Sequence, residues 1–466
     1  MSEGVVNALA QLEADWDAHM NDLCDLVRIP GISAEPPPSP ALHKSAEAIK
    51  ALMQKAGLEH CEVIDFPGGH PYAYGEWLHA KDAPTVLLYG HHDVQPPGRP
   101  EKWETPAFEP TIRKDGRLYG RGAVDDKAGV MVHIAAIASF LKRGGTLPVN
   151  VKFIVEGEEE AGSQSLSAFL EKYKAKLAAD VIVLTDTANH EAGLPSLTVS
   201  LRGLVAVMVE VRSLDHPVHS GMWGGPVPDP VMALCKAIAE LTDKDGKVAL
   251  DVWKDVRKPT DAETKELASL PYSEKTFRHE VGLVEGAHLT GDPAMPVWGR
   301  VWRQPSVTVI ALEARPLVGS SNQIIESARA RISCRVVADM DPMKVQDLLV
   351  KHFETKVPWG LQVHIERDPV AGWWMTTPDH PAFAAAGRAL KAGYGRDAVH
   401  IGCGGSIPFV EPFSRVLGGV PALLMGVEDP ICNAHGENES LNLDDFRKGT
   451  RAAIHLYEEL RSIPHG

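Results

Sequence analysis

Histidines and carboxylates recur in this sequence just after short apolar runs. His91 and Asp93 stand two apart in Gly90-His-His-Asp-Val-Gln-Pro96. In an extended segment residues i and i+2 point to one side, so His91 and Asp93 face together and His92 faces away. A ligating histidine uses one ring nitrogen and needs its other N–H held, which an adjacent carboxylate does. Asp125 falls in a Gly-rich turn, Gly120-Arg-Gly-Ala-Val-Asp-Asp-Lys-Ala-Gly129, that runs into a helix. Glu158, Glu159 and Glu160 end one buried-type strand, Asp186 ends the next, and His435 lies in Asn433-Ala-His-Gly-Glu437. Imidazole and carboxylate without thiolate suit Zn2+, Mn2+ or Co2+. Five ligands exceed the needs of one tetrahedral ion. With one carboxylate shared they serve two ions about 3.5–4 Å apart, and the surplus glutamate is free to act as a base. Singly, each signal is commonplace: a His-x-Asp pair is usually a surface or capping pair, and an acidic triplet is usually solvated. Four such signals at the same ends of four strands are not, because clustered acids repel unless a cation lies between them.

The elements that must position these residues alternate between two types. Apolar runs at Thr85–Tyr89, Val149–Val155, Val181–Leu184 and Ala422–Met425 read as buried strands. Helical patterns separate them, at 127–142 and 165–177, with two more at 6–27 and 41–56. This predicts an α/β fold with a mostly parallel sheet, whose ligands collect past the carboxyl ends of the strands. Between 197 and 372 the order becomes βαββαβ, which predicts an inserted ferredoxin-like α+β domain. The expected division is 1–196 and 373–466 for the catalytic domain and 197–372 for the insertion. The stretch 242–305 shows no site chemistry.

Composition narrows the function classes. The 466 residues hold 62 acids and 47 bases, net −15, which argues against nucleic acid or an anionic membrane as a partner. No apolar stretch is long enough for a transmembrane helix, and Met1–Val27 lacks the pattern of a signal peptide. Six scattered cysteines without a Cys-x-x-Cys pair fit a reducing, cytoplasmic setting.

These stretches, with Thr185-Asp-Thr187, His219-Ser-Gly221 and Gly404-Gly-Ser-Ile-Pro408, resemble a dinuclear metallopeptidase family. That family includes carnosinase, carboxypeptidase G, aminoacylase and succinyl-diaminopimelate desuccinylase, and the carnosinase-like dipeptidase branch is most similar. The resemblance spans nearly the whole chain. It implies that Asp125 bridges two divalent cations, zinc first among them. His91 and Asp186 complete one site, Glu160 and His435 the other, and Asp93 orients His91. It implies Glu159 as the base that forms a metal-bridging hydroxide, which attacks the peptide bond of a dipeptide or short peptide with a free C-terminal carboxylate. It further implies a homodimer whose inserted lid sends His219 into the partner's site, Asn322 near the reacting carbonyl, and Arg335 on the substrate carboxylate. Gly404, Gly405 and Ser406 would line the substrate end. Gly402-Cys403 departs from the Arg-Glu usual in the dipeptidase branch. An N-acyl amino acid deacylase or desuccinylase would use the same metal residues, and so would a catalytically dead scaffold on this fold.

Overall fold

The computed structural model describes residues 2–405 and 410–465. It divides into two compact units. One takes in the described residues of Met1–Val199, Thr376–Ile401 and Pro408–Gly466; the other takes in those of Ser200–Met375 and Gly402–Ile407.

The first unit is built on a sheet whose strands run in the order Glu59–Ile64, Tyr72–Trp77, Asn150–Glu156, Thr85–His91, Val181–Leu184, Ala422–Leu424, Ser196–Leu201. The middle four are parallel, and antiparallel pairings join the strands on either flank. Val, Ile and Leu fill these middle strands, and Val181–Leu184 is buried at every position, as strands covered on both faces require. Helix Lys127–Leu141 is apolar all round and buried along almost its whole length. Helix Glu3–Val27 buries one stripe, including Val5, Leu12, Trp16, Leu23 and Val27, and its Ser2 cap accepts from Val5 N–H. Helix Pro40–Ala56 starts with Ser39 as cap and Pro40 at its first position. The alternation expected from the sequence and the mostly parallel sheet are both present. In-register pairing from Thr85↔Asn150 to His91↔Glu156 brings the carboxyl ends of adjacent strands level.

The second unit holds a four-stranded antiparallel sheet in the order Ser306–Glu313, Ser327–Val336, Gly203–Arg212, Gln362–Arg367, with helices Pro230–Ala239 and Pro342–Lys356. In chain order this is βαββαβ, with the first and third strands adjacent at the centre, the ferredoxin-like arrangement. The single strand expected over 197–211 is in fact two, Ser196–Leu201 and Gly203–Arg212, which serve different sheets. The chain breaks at Arg202, where backbone closes in: a Cβ on Gly203 would stand 2.5 Å from the Ala371 carbonyl oxygen. Segment 242–305 contains helices Asp261–Ser269, Glu274–Glu280 and Val297–Arg303. Among the described residues no helix is long and apolar enough to cross a membrane.

Candidate metal centre

His91 is the last residue of its strand, and its ring is buried. Its Nδ1 lies 3.3 Å from Asp93 Oδ1 and 3.2 Å from the Asp93 carbonyl oxygen. That anchors the ring and turns Nε2 toward Asp125 Oδ1 at 3.0 Å and Asp186 Oδ1 at 3.6 Å. The other oxygen of Asp125, Oδ2, lies 3.0 Å from His435 Nε2, which is also 3.1 Å from Glu160 Oε2. Two three-residue groups result, His91–Asp125–Asp186 and Asp125–Glu160–His435, each with its donor atoms within 4.8 Å of one another. Asp125 belongs to both and offers a different oxygen to each. His92 faces away and bonds through Nε2 to the Pro71 carbonyl at 2.9 Å.

Asp93 does more than hold His91. Its Oδ1 accepts from Glu159 N–H at 3.2 Å and its Oδ2 from Glu160 N–H at 2.9 Å, which pins the acidic turn Glu159–Ala161 beneath the cluster. The glutamates of the triplet then separate. Glu160 faces His435 and accepts from Gln95 Nε2 at 2.8 Å. Glu158 is buried elsewhere, accepting from Tyr72 Oη and from the Ser165 N–H and hydroxyl. Glu159 is bound by neither set, and its carboxyl feels the charges of His91, Asp186, Glu160 and Asp125.

The electrostatics describe an anionic cage. Burial, followed by repulsion from Asp186, Glu160 and Asp125, holds the Glu159 carboxyl well above the usual range. Burial, followed by the charges of Asp125 and Glu160, pushes Asp186 up to about 6. Burial opposes charge on His91, but Asp186 and hydrogen bonds to its carboxylate neighbours hold its pKa well above 6.5. Hydrogen bonds to Asp125 and Glu160 raise His435 to about 11. Acids this close, facing imidazoles that would otherwise carry the compensating protons, fit divalent cations. The borderline nitrogen and oxygen donors suit a metal of the zinc, manganese or cobalt type.

Four contributors escaped the sequence reading. Arg121 and Glu439 form a buried pair, Nη1 to Oε2 at 2.6 Å with side chains 2% and 0% exposed. Glu439 also accepts from Gly122 and Val124 N–H, and Arg121 donates to the carbonyls of His435 and Gly436, so this pair ties the Asp125 turn to the His435 loop. Gln95 props Glu160. Glu428 is raised well above the usual range by burial and by the charges of Asp125 and Asp186. Arg121 and Gln95 stood inside motifs already singled out, and Glu439 stands two residues past the His435 motif. Glu428 carried no pattern signal.

The remaining candidates lie in the second unit, where the structure gathers them differently. His219 is exposed at the end of strand Val218–His219, paired with Gln323 next to Asn322, whose carbonyl accepts from Ser220 N–H at 2.9 Å. His219 Nδ1 accepts from Gly221 N–H at 3.0 Å, so the neutral ring carries its proton on Nε2. Arg335 is half-buried in strand Ser327–Val336 near Arg202 and Cys403. Gly404 and Gly405 pass their carbonyls to Arg202, at 2.8 Å from its Nε and 3.2 Å from its N–H. Ser406 lies outside the described residues.

The profile of the family described as Peptidase family M20/M25/M40 matches residues 87–459. The cysteinylglycine-S-conjugate dipeptidase of Corynebacterium striatum is 33% identical over 78% of this chain and 78% of its own length. The Cys-Gly metallodipeptidase dug1 of Schizosaccharomyces pombe is 30% identical over 96% of each chain. Among solved structures, human carnosine dipeptidase 1 superposes with a TM-score of 0.86 at 26% identity, covering 98% of this chain and 99% of that one.

Proposed function

This chain belongs to peptidase family M20/M25/M40, and we propose that it is a dinuclear metallodipeptidase that cleaves the amide bond of dipeptides or short peptides with a free C-terminal carboxylate. The observation that carries this reading is the split allegiance of Asp125, one oxygen toward His91 and Asp186 and the other toward His435 and Glu160. That is the donor pattern two cations sharing a carboxylate require. We assign His91, Asp125 and Asp186 to one ion and Asp125, Glu160 and His435 to the other, with zinc as the native metal. The dipeptidase relatives favour the same substrate class.

When bound, the cations would polarise the scissile carbonyl and lower the pKa of water from 15.7 towards ~7. Glu159 takes the proton of the attacking water and returns it to the leaving amine, a role its raised pKa suits. Asp93 holds the His91 ring in register for its ligand role. In this reading His219 acts from a second subunit: with Nδ1 occupied by Gly221, its Nε2–H is the donor for the developing oxyanion, beside Asn322. Arg335 grips the substrate carboxylate, and the 404–406 loop borders it. A homodimer is supported by the edge strand Ser306–Glu313, which leaves Val309, Ile310 and Leu312 exposed, and by Leu317 and Val318, 93% and 94% exposed. We assign 1–196 and 373–466 to the catalytic domain and 197–372 to the lid, with the described residues of Gly402–Ile407 clustering with the lid's unit. The six cysteines stand as thiols, which supports a reducing, cytoplasmic setting.

The test is Glu159→Gln in metal-loaded enzyme, assayed on dipeptides and on N-acetyl and N-succinyl amino acids. Turnover should fall about 10²–10⁴-fold with metal content unchanged. Turnover within tenfold of wild type would refute Glu159 as the base, and faster cleavage of the acyl amino acids than of any dipeptide would refute the substrate class.

A further inference from the structure

In the second unit, segment 242–305 forms much of the wall of a cavity of about 350 Å3, although its sequence suggests no chemistry. Arg202, Lys247 and Arg300 line it with Thr290, Gln304 and Ser306, and among the described residues no aspartate or glutamate does. Arg202 spends its donors on neutral acceptors, Nε on the Gly404 carbonyl at 2.8 Å and Nη1 on the Ser306 hydroxyl at 3.1 Å. Arg300 does the same, donating to the carbonyls of Met295 at 3.0 Å and Thr290 at 3.3 Å. Lys247 meets Asp292 at 3.4 Å, a carboxylate outside the lining. Asp243, also outside the lining, accepts from Lys247 N–H at 3.0 Å and feels its charge. Three cations set against these two carboxylates still leave an excess of positive charge in a recess, an arrangement that favours a bound anion. The hydroxyls and amide around them supply further donors. Arg202 also links the recess to the substrate end assigned above, because its N–H and Nε hold the carbonyls of Gly405 and Gly404.

We propose that this cavity binds a small carboxylate, and that the side-chain carboxylate of a dipeptide with an acidic C-terminal residue is the group that fills it. The second half of this proposal rests on the dipeptidase reading; the first does not. Calorimetric titration of the metal-loaded enzyme with glutarate tests the first half without turnover. Lys247→Gln and Arg300→Gln should each weaken binding about tenfold, the effect of losing one charge-assisted contact, while Lys247→Arg stays near wild type. Equal affinity in all four proteins would overturn the site. Paired kcat/KM values for dipeptides ending in Asp and in Asn test the second half. A preference for Asp that falls about tenfold in Lys247→Gln, with the Asn peptide unchanged, is the expected result. Weakened glutarate binding with an unchanged preference would overturn the substrate assignment. Failure to cleave either peptide would count against the dipeptidase reading and leave the titration result standing.

Discussion

Strand Thr85–His91 is buried at every position after its first residue, whereas Ser306–Glu313 is exposed over its last six. The two units carry different kinds of candidate residue. In the first unit His91, Glu160 and Asp186 stand at or just past the ends of locked parallel strands, Asp125 and His435 stand on turns, and Asp93, Gln95, Arg121 and Glu439 brace them from behind. In the second, His219 lies on an exposed two-residue ladder, and Arg202 and Arg335 line a sheet whose edge is open. The first unit is self-sufficient for metal: each cluster closes from side chains of that unit alone. The second offers donors and positive charge with no metal cluster among its described residues. The contrast separates chemistry, which needs rigid ligands, from recognition, which needs reachable donors.

Substitutions on the two sides of this comparison should therefore fail differently. His219→Asn should lower turnover about 10²–10³-fold, the loss of one oxyanion donor, with metal stoichiometry unchanged. Loss of metal from this variant would erase the distinction between the units. If the site is shared, mixing His219→Asn with Glu159→Gln subunits should restore activity above either parent. Arg121→Ala attacks the bracing instead: it leaves Glu439 buried and unpaired, and should cost about 3–5 kcal/mol in denaturant unfolding as well as metal affinity. A variant as stable as wild type would show that the pair does not hold the turn.

The smallest effect expected is a pH slope. Without metal, His435 keeps its proton until about pH 11, since its folded pKa lies far above the unfolded 6.5. Metal must displace that proton, so zinc affinity should rise with pH between 6 and 8, and calorimetry in buffers of different ionisation enthalpy should read proton release. Affinity flat across this range would contradict His435 as a ligand. The stabilising contribution of protonated His435 to the metal-free chain is full below 6.5 and lost as pH rises through about 11, and the 58% exposure of its side chain keeps it small.

The sequence made the strand ends legible because buried parallel strands are short apolar runs, and the residue after each run has one place to go. His91, Glu160 and Asp186 could be gathered on that argument, while Asp125 in its Gly-rich turn and His435 in Asn433-Ala-His-Gly-Glu437 are joined to them by the family resemblance. Glu428 could not: it follows Val427 outside any strand pattern, and its bridge to Ala188 and its exposure to the Asp125 charge arise only in the fold. Nor could the break at Arg202, since Leu197–Val211 reads as one alternating strand and the close approach of Ala371 comes from far along the chain. The cavity of Arg202, Lys247 and Arg300 has the same origin, three basic residues spread over about a hundred positions with no pattern to join them.

The most direct measurement is anomalous diffraction from crystals grown with zinc. Two peaks about 3.5–4 Å apart, one beside His91 and Asp186 and the other beside His435 and Glu160, with Asp125 between them, are the predicted result. A single peak, or two peaks that Asp125 does not touch, would contradict the account.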